Sequence, residues 1–168
     1  VDDLGLDAIR GFGFSESTAQ TPNIDAFCTA GLRFMSAYAH PTCSPTRASI
    51  LTGRYPFRTG VAGPVGGNHP GLNLEESTLP ERLDASLGDS VTHAVIGKWH
   101  LADANNGQNQ SPNLHGFDHY AGLIRGTLPD YWNWEKVTNG VVSQNRTYAT
   151  TDTINDAVEW LDGREGPW

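Results

Sequence analysis

The chain contains 168 residues, of which 38% are hydrophobic and 18% are charged. This composition excludes an intrinsically disordered chain and predicts one globular domain with a buried core. The formal net charge of −8 argues against nucleic acid or an anionic membrane as a general partner, and no apolar run approaches the ~20 residues that a transmembrane helix requires. Two cysteines give little support for a disulfide framework.

Capping residues, apolar periodicity and chain breakers predict that helices and short strands alternate along the chain. The predicted helices span residues 21–31, 45–52, 78–88 and 152–161. The predicted strands span residues 32–39 and 90–96. Glycine, proline and amide side chains predict loops at residues 54–76 and 102–113, and the aromatic-rich stretch 116–148 is predicted to be irregular.

This alternation indicates an α/β layered sandwich, in which we expect a mainly parallel central sheet. Ligand sites in such sheets lie outside the carboxyl ends of the strands. Residues 1–20 are predicted to be a loop after a truncated strand, so Asp2 and Asp3 would stand at the end of that strand. Cys43 follows the predicted strand 32–39, and the pair Lys98 and His100 follows the predicted strand 90–96. We therefore expect these side chains to meet at one edge of the sheet.

Residues 43–47 read CSPTR and combine a potential nucleophile, a helix start and a fixed positive charge. Pro45 suits the first turn of a helix, so Cys43 lies just ahead of backbone N–H groups that favour an anion. Arg47 lies about one turn further on the same side, where its guanidinium can reach back. A lone cysteine is more often a buried, inert thiol, and the residues alone leave both interpretations open.

Two further pairs carry candidate chemistry. Asp2 and Asp3 offer adjacent carboxylates, which hard divalent cations prefer, although aspartates are also common in turns and caps. Lys98 and His100 flank one residue, so an extended chain would direct both side chains to the same face. A lysine there can bind an anionic oxygen, and a histidine can donate to it or transfer a proton.

The segment 21–60 closely resembles the N-terminal part of the type I sulfatases, which belong to the alkaline phosphatase superfamily. It contains the signature C-x-P-x-R at 43–47, then a helix of small residues and the sequence TGR. The sequence DDLG at 2–5 and the sequence IGKWHL at 96–101 are similar to two further motifs of that family. The resemblance implies an incomplete sulfatase fold, with residues 1–168 as the N-terminal part of a single catalytic domain that is truncated at both ends.

The resemblance also implies a modified nucleophile on a metal. Cys43 would be oxidised to formylglycine by a formylglycine-generating maturation enzyme, and the hydrated gem-diol would be the nucleophile. Asp2, Asp3 and the formylglycine oxygen derived from Cys43 would ligate a divalent metal, which is usually Ca²⁺ and sometimes Mg²⁺ in this family. Arg47 would hold the formylglycine and the metal-site carboxylates, Lys98 would contact the sulfate, and His100 would hydrogen-bond the nucleophile.

The implied function is hydrolysis of a sulfate monoester of a small molecule or a carbohydrate. The 168 residues alone are expected to have little turnover, because the family completes its metal and sulfate sites with later residues. Two alternatives stay open: a phosphonate monoester or phosphodiester hydrolase of the same superfamily, and a catalytically inactive binding module. The resemblance implies a periplasmic, secreted or lysosomal location, and the sequence predicts no oligomeric state.

Overall fold

The computed structural model describes residues 4–14, 17–88 and 90–168. Asp2 and Asp3, the predicted metal ligands, lie outside the described residues. The chain divides into two compact units, Val1–Ala39 and His40–Trp168. Across the described ranges, every helix is too short or too polar to cross a membrane.

The described part of the first unit contains two 3₁₀ turns and one helix, α1 (Pro22–Ala30). The carboxylate of Asp25 in α1 accepts a hydrogen bond from the backbone N–H of Gly11 at 2.8 Å, which ties the helix to the preceding loop. The predicted helix at 21–31 is confirmed, whereas the predicted strand at 32–39 is wrong. Those residues form turns and irregular chain with exposed apolar side chains, and no described residue of the unit pairs with them as a strand.

The second unit contains the other helices and all the strands of the described chain. The helices are α2 (Cys43–Thr52), α3 (Pro56–Thr59), α4 (Leu79–Leu87), α5 (Ser111–Leu114) and α6 (Ala149–Asp162). The strands are β1 (Ala94–Lys98), β2 (His119–Leu123), β3 (Trp134–Thr138) and β4 (Val141–Asn145). The helices predicted at 45–52, 78–88 and 152–161 are therefore confirmed, and the strand predicted at 90–96 lies slightly later, in β1.

The four strands form one sheet in the order β1-β2-β3-β4. β1 and β2 are parallel, whereas the other two pairings are antiparallel. The α/β class is confirmed, but the described sheet is mixed where a mainly parallel one was expected. The difference arises in the stretch 116–148, which supplies three strands instead of an irregular loop. Its hairpin turns at Asn139 and Gly140, whose φ angles of 47° and 83° match the tight turn that Asn-Gly favours.

Breaker and capping residues define two helices of this unit. Helix α2 ends at Gly53, which adopts the left-handed conformation with φ of 67°. Helix α4 begins with a capping box, in which Glu81 accepts a hydrogen bond from the backbone N–H of Thr78 at 2.7 Å. The sequence signals for these helix ends therefore act as expected.

The core of the second unit lies between α2, the loop before α4, and strands β1 to β3. Its buried apolar residues are Ala48, Val61, Leu72, Trp99, Leu101, Tyr120 and Val137. Trp99 is 2% exposed, and its indole N–H donates to the hydroxyl of Ser111 at 3.0 Å. Because Trp99 stands between Lys98 and His100, its burial fixes the backbone from which both of those side chains project.

Candidate active site

The end of β1 positions the pair Lys98 and His100. Parallel pairing with β2 continues past the strand, because the N–H groups of Trp99 and His100 donate to the carbonyls of Leu123 and Ile124, each at 2.9 Å. His100 itself has a φ of 53°, a conformation that is rare for a residue with a side chain and that clusters at functional sites. The extended geometry assumed for this segment therefore ends before His100.

The thiol of Cys43 faces the imidazole of His100. Its sulfur lies 3.0 Å from Nδ1 of His100, across 57 positions of sequence. On the other side of the ring, Nε2 lies 3.2 Å from the carbonyl oxygen of Val65. A carbonyl can only accept, so Nε2 carries a hydrogen, and Nδ1 of a neutral ring is left as an acceptor toward Cys43. The ring is thus oriented to take a proton from the group at position 43.

Ser44 links the start of α2 to the backbones of His100 and Val65. Its hydroxyl donates to the carbonyl of His100 at 2.8 Å and accepts from the N–H of Val65 at 3.0 Å. The side chain is fully buried, so neither contact competes with water. Ser44 was not predicted as a site residue, because it occupies a variable position of the C-x-P-x-R signature. A hydroxyl beside the candidate nucleophile was the only available signal.

Arg47 connects α2 to the end of β1. Its Nη1 donates to the carbonyl of Lys98, and the neighbouring carbonyl of Gly97 lies 3.3 Å from the hydroxyl of Tyr120, which donates to it. Burial raises the pKa of Tyr120 far above its usual range, and the positive charge of Arg47 opposes that shift. Tyr120 therefore stays a neutral donor at any physiological pH. Two cationic residues, Arg47 and Lys98, are thus half-buried and joined through the backbone carbonyl of Lys98.

Glycines allow the close approach of the chain around this centre. A Cβ atom on Gly122 would lie 2.0 Å from the carbonyl oxygen of Gly97, so only glycine permits the strands to meet there. A Cβ atom on Gly126 would lie 2.4 Å from Cε1 of His100. Any side chain at position 126 would therefore displace the imidazole.

Four of the six predicted site residues lie in the second unit, where the side chains of Cys43 and His100 are in contact and Arg47 binds the backbone carbonyl of Lys98. The other two, Asp2 and Asp3, fall outside the described residues. Within the described ranges there is no cluster of three or more His, Cys, Asp or Glu side chains that could hold a metal ion. The metal site accordingly stays a prediction.

Two other histidines of the second unit have structural contacts. His115 is fully buried against Trp99, and its Nδ1 lies 2.7 Å from the carbonyl of Ser111. His93 pairs with Asp84 at 2.9 Å. These contacts join β1 and its neighbouring strand to the flanking helices.

Comparison with known proteins identifies the family of the chain. The family model described as Sulfatase matches residues 1–168. Arylsulfatase H of Canis lupus familiaris is 36% identical over 142 residues, which cover 77% of this chain and 24% of that protein. N-acetylgalactosamine-6-sulfatase of Sus scrofa is 35% identical over 156 residues, which cover 82% of this chain and 29% of that protein. The chain belongs to the sulfatase family.

Solved structures show the same fold. Ps i-CgsB in complex with k-i-k-neocarrahexaose superposes with a TM-score of 0.81 at 27% identity, covering 99% of this chain and 41% of that one. BT4656 in complex with its substrate D-Glucosamine-2-N, 6-O-disulfate gives a TM-score of 0.78 at 27% identity, covering 99% of this chain and 31% of that one. The chain spans about a quarter to a third of the length of the first relatives it matches.

Proposed function

We propose that the full-length protein hydrolyses sulfate monoesters, with the side chain at position 43 as the nucleophile. The observation that carries this proposal is the contact of 3.0 Å between Cys43 Sγ and His100 Nδ1 at the start of α2. A nucleophile needs a base within hydrogen-bonding reach, and the tautomer of His100 leaves an acceptor there. Membership of the sulfatase family and the sulfated sugar bound by BT4656 support a sulfated carbohydrate as the substrate class.

Two cationic residues suit the site to an anionic substrate. A sulfate ester carries negative charge, so an attacking oxygen meets repulsion unless nearby groups neutralise it. Lys98 offers a compact positive charge, and Arg47 holds the backbone of Lys98 while adding a second charge. The N-terminus of α2 adds the positive end of its helix dipole next to position 43. We expect these contributions to attract an anion to position 43 although the net charge of the protein is −8.

Formylglycine at position 43 belongs to this proposal, as the product of a maturation enzyme acting on Cys43. When hydrated, that group would supply two hydroxyls on one carbon. Attack of one oxygen on sulfur would break the bond to the alcohol, which leaves. Loss of the proton from the other hydroxyl would then break the C–O bond to the sulfate, which would release sulfate and restore the aldehyde. His100 is oriented to accept the first proton through Nδ1. Ser44 keeps the ring in position through the carbonyl of His100.

A divalent cation, Ca²⁺ or Mg²⁺, is the second proposed partner. Asp2 and Asp3, together with an oxygen on residue 43, form a set of hard oxygen donors whose chemistry fits such an ion. The ion would neutralise part of the charge on the sulfate. The family resemblance also supports a location in the periplasm, in lysosomes or outside the cell.

Substitution of Cys43 tests the nucleophile. In the full-length protein, produced in a host that has the maturation enzyme, Cys43→Ala should lower the hydrolysis of an aryl sulfate by about 10³-fold or more. Cys28→Ala is the matched control, because it removes the other cysteine on α1 and should leave the rate unchanged. In the wild-type protein, mass spectrometry of the peptide that contains position 43 should show a mass below the one calculated for the same peptide with an unmodified cysteine. Wild-type activity in Cys43→Ala would refute the proposal.

The relative rates of hydrolysis of sulfate and phosphorus esters distinguish a sulfatase from the alternative phosphonate monoester or phosphodiester hydrolase. If the wild-type protein cleaved an aryl phosphodiester or phosphonate monoester faster than the aryl sulfate, the phosphorus esters would be its substrates. An unmodified thiol together with no turnover of either class would identify an inactive binding module.

A further inference from the structure

A cavity of about 560 Å³ lies against the side of His100 that faces away from Cys43. Val65 and Gly126 both line it. The carbonyl of Val65 contacts Nε2 of His100, and Gly126 lies so close to the ring that a Cβ atom would be 2.4 Å from Cε1. The cavity therefore begins one imidazole ring away from the thiol. Its volume falls within the range of about 300–1,000 Å³ that is typical of small-molecule sites.

Polar contacts fix one wall of this cavity. The carboxylate of Asp103 accepts from the N–H of Gly71 at 2.7 Å. The amide of Asn106, which is buried, donates to the carbonyls of Leu72 and Leu101 at 2.8 Å and 2.7 Å. These bonds join the loop that precedes α4 to the loop that follows His100. A preformed wall of this kind lowers the cost of ordering when a ligand binds.

Arg125 is the only lysine or arginine among the described residues that line the cavity. It follows β2 at the same edge of the sheet as His100 follows β1, and its side chain is exposed. The carboxylate of Asp103, in the same cavity, is already taken up by the backbone N–H groups of Gly71 and Asn105. The planar guanidinium is therefore available to pair with an anionic group of a ligand, preferentially in bidentate geometry.

The other side chains of the cavity suit a hydroxylated ligand. Asn68, His69 and Asn105 offer hydrogen-bonding groups around a floor that includes Gly66 and Gly67. A second cavity, of about 590 Å³, lies on the Thr42 side of the thiol and contains Tyr55, Phe57 and several prolines but no lysine or arginine among its described residues. The two cavities thus offer different chemistry, and only the first provides a cation.

We propose that the cavity beside His100 binds the alcohol part of the sulfate ester, and that Arg125 recognises a second anionic group on that part, a sulfate or a carboxylate of a saccharide. This inference rests on the proposed function of the site at Cys43. Arg125 is then a specificity-determining residue, because it contacts the substrate away from the bond that breaks. Substrates that lack the second anionic group are not stabilised by Arg125.

The test compares three saccharide substrates in the full-length protein. Glucosamine 6-sulfate carries no second anion, glucosamine 2-N,6-O-disulfate adds a sulfate, and a disaccharide of 6-sulfated glucosamine with a uronic acid adds a carboxylate. Arg125→Ala should lower kcat/KM for one or both dianionic substrates by about 10- to 100-fold and leave the monosulfated sugar within about twofold. The dianionic substrate that loses more identifies the group that Arg125 binds. Arg125→Lys should recover part of the loss.

Arg82→Ala provides the matched control. Arg82 is an exposed arginine of α4 that lines neither cavity, so its removal lowers the net charge equally and should leave all three rates unchanged. Equal losses on all three substrates in Arg125→Ala, or no loss on any, would overturn the inference. Turnover of the monosulfated sugar reports on the proposed function separately. If no sulfate ester is cleaved, calorimetric titration measures the affinity for the same three sugars. Arg125→Ala should then weaken binding of one or both dianionic sugars and leave binding of the monosulfated sugar unchanged, and any other pattern would overturn the inference.

Discussion

Helices α2 and α6 of the second unit are held in place by different forces, and the contrast separates the residues of the site from those of the scaffold. Helix α2 buries Ser44, Pro45, Ala48 and Thr52, and its polar groups bond to the ends of other elements. Helix α6 buries only Ala149, and exposes the apolar side chains of Ile154, Val158 and Leu161. A helix with small residues and little amphipathic pattern thus carries the candidate chemistry.

Helix α6 is anchored by an ionic cluster with a strand. Lys136 of β3 pairs with Asp152 and Asp156 on successive turns of α6, each at 2.7 Å. All three side chains are mostly buried, at 12%, 15% and 20% exposure, so the contacts are shielded from solvent. The cluster joins α6 to β3, whereas the thiol contacts the imidazole of His100, which follows β1. We expect changes in the cluster to affect stability, and changes in α2 to affect catalysis.

The largest effect is expected at the contact between α2 and the end of β1. His100→Asn should lower kcat for aryl sulfate by about 10²- to 10⁴-fold, because it removes the base that contacts the nucleophile at position 43. Asparagine tolerates the left-handed conformation of this position, so the backbone is retained. Steady-state kinetics and thermal unfolding of the full-length protein provide the measurement. A normal kcat with a lowered melting temperature would contradict the assignment of His100 to the chemistry.

The ionic cluster on α6 should show the opposite behaviour. Lys136→Met leaves two carboxylates close together without their cation, and should lower the free energy of unfolding by about 2–3 kcal/mol, below the full cost of a buried pair because the groups are partly exposed. The value of kcat should stay unchanged where the variant is folded. Adding Asp152→Asn and Asp156→Asn to the same chain should recover part of the loss. Urea unfolding measures each variant.

The pH dependence of stability gives an independent check on this cluster. Burial acts to lower the pKa of Lys136, but the hydrogen bonds and charges of Asp152 and Asp156 outweigh it and raise that pKa above 10.5. The folded state therefore binds the proton more tightly, so the stabilisation is present below the ordinary lysine pKa and is lost as pH rises through the raised value. Wild type and Lys136→Met should converge in stability at strongly alkaline pH. A constant gap would show that packing dominates.

Sequence reasoning anticipated α2 and α6 for different reasons. The apolar spacing of Ile154, Val158 and Leu161 predicts α6 directly, as does any amphipathic stripe. Helix α2 has no such stripe, and Pro45 and Gly53 define it instead. Because both signals are local, both helices were predicted almost to their ends.

The stretch 116–148 was not predicted because its strands depend on tertiary contacts. β2 pairs with β1, which lies more than twenty residues earlier in the chain, and aromatic side chains of this stretch obscure its alternation. The Asn139-Gly140 turn was the one local signal for a hairpin. The same limit applies to the site. The motifs at 43–47 and 96–101 together predict that Cys43 and His100 meet, but the orientation of His100 depends on the carbonyl of Val65, which no sequence pattern reveals.

The smallest effect is expected from loss of the hydroxyl of Ser44. It is also the closest test of the contrast between α2 and α6, because this side chain could serve either the site or the scaffold. Ser44→Ala leaves the N–H of Val65 and the carbonyl of His100 without a buried partner, and should lower the free energy of unfolding by about 1–3 kcal/mol. Because both groups position the imidazole, kcat should also fall, by about tenfold. Ser86→Ala on α4 is the control, since that exposed hydroxyl bonds only to a carbonyl of its own helix. Loss of stability without loss of kcat in Ser44→Ala would place Ser44 with the scaffold and leave His100 oriented by Val65 alone.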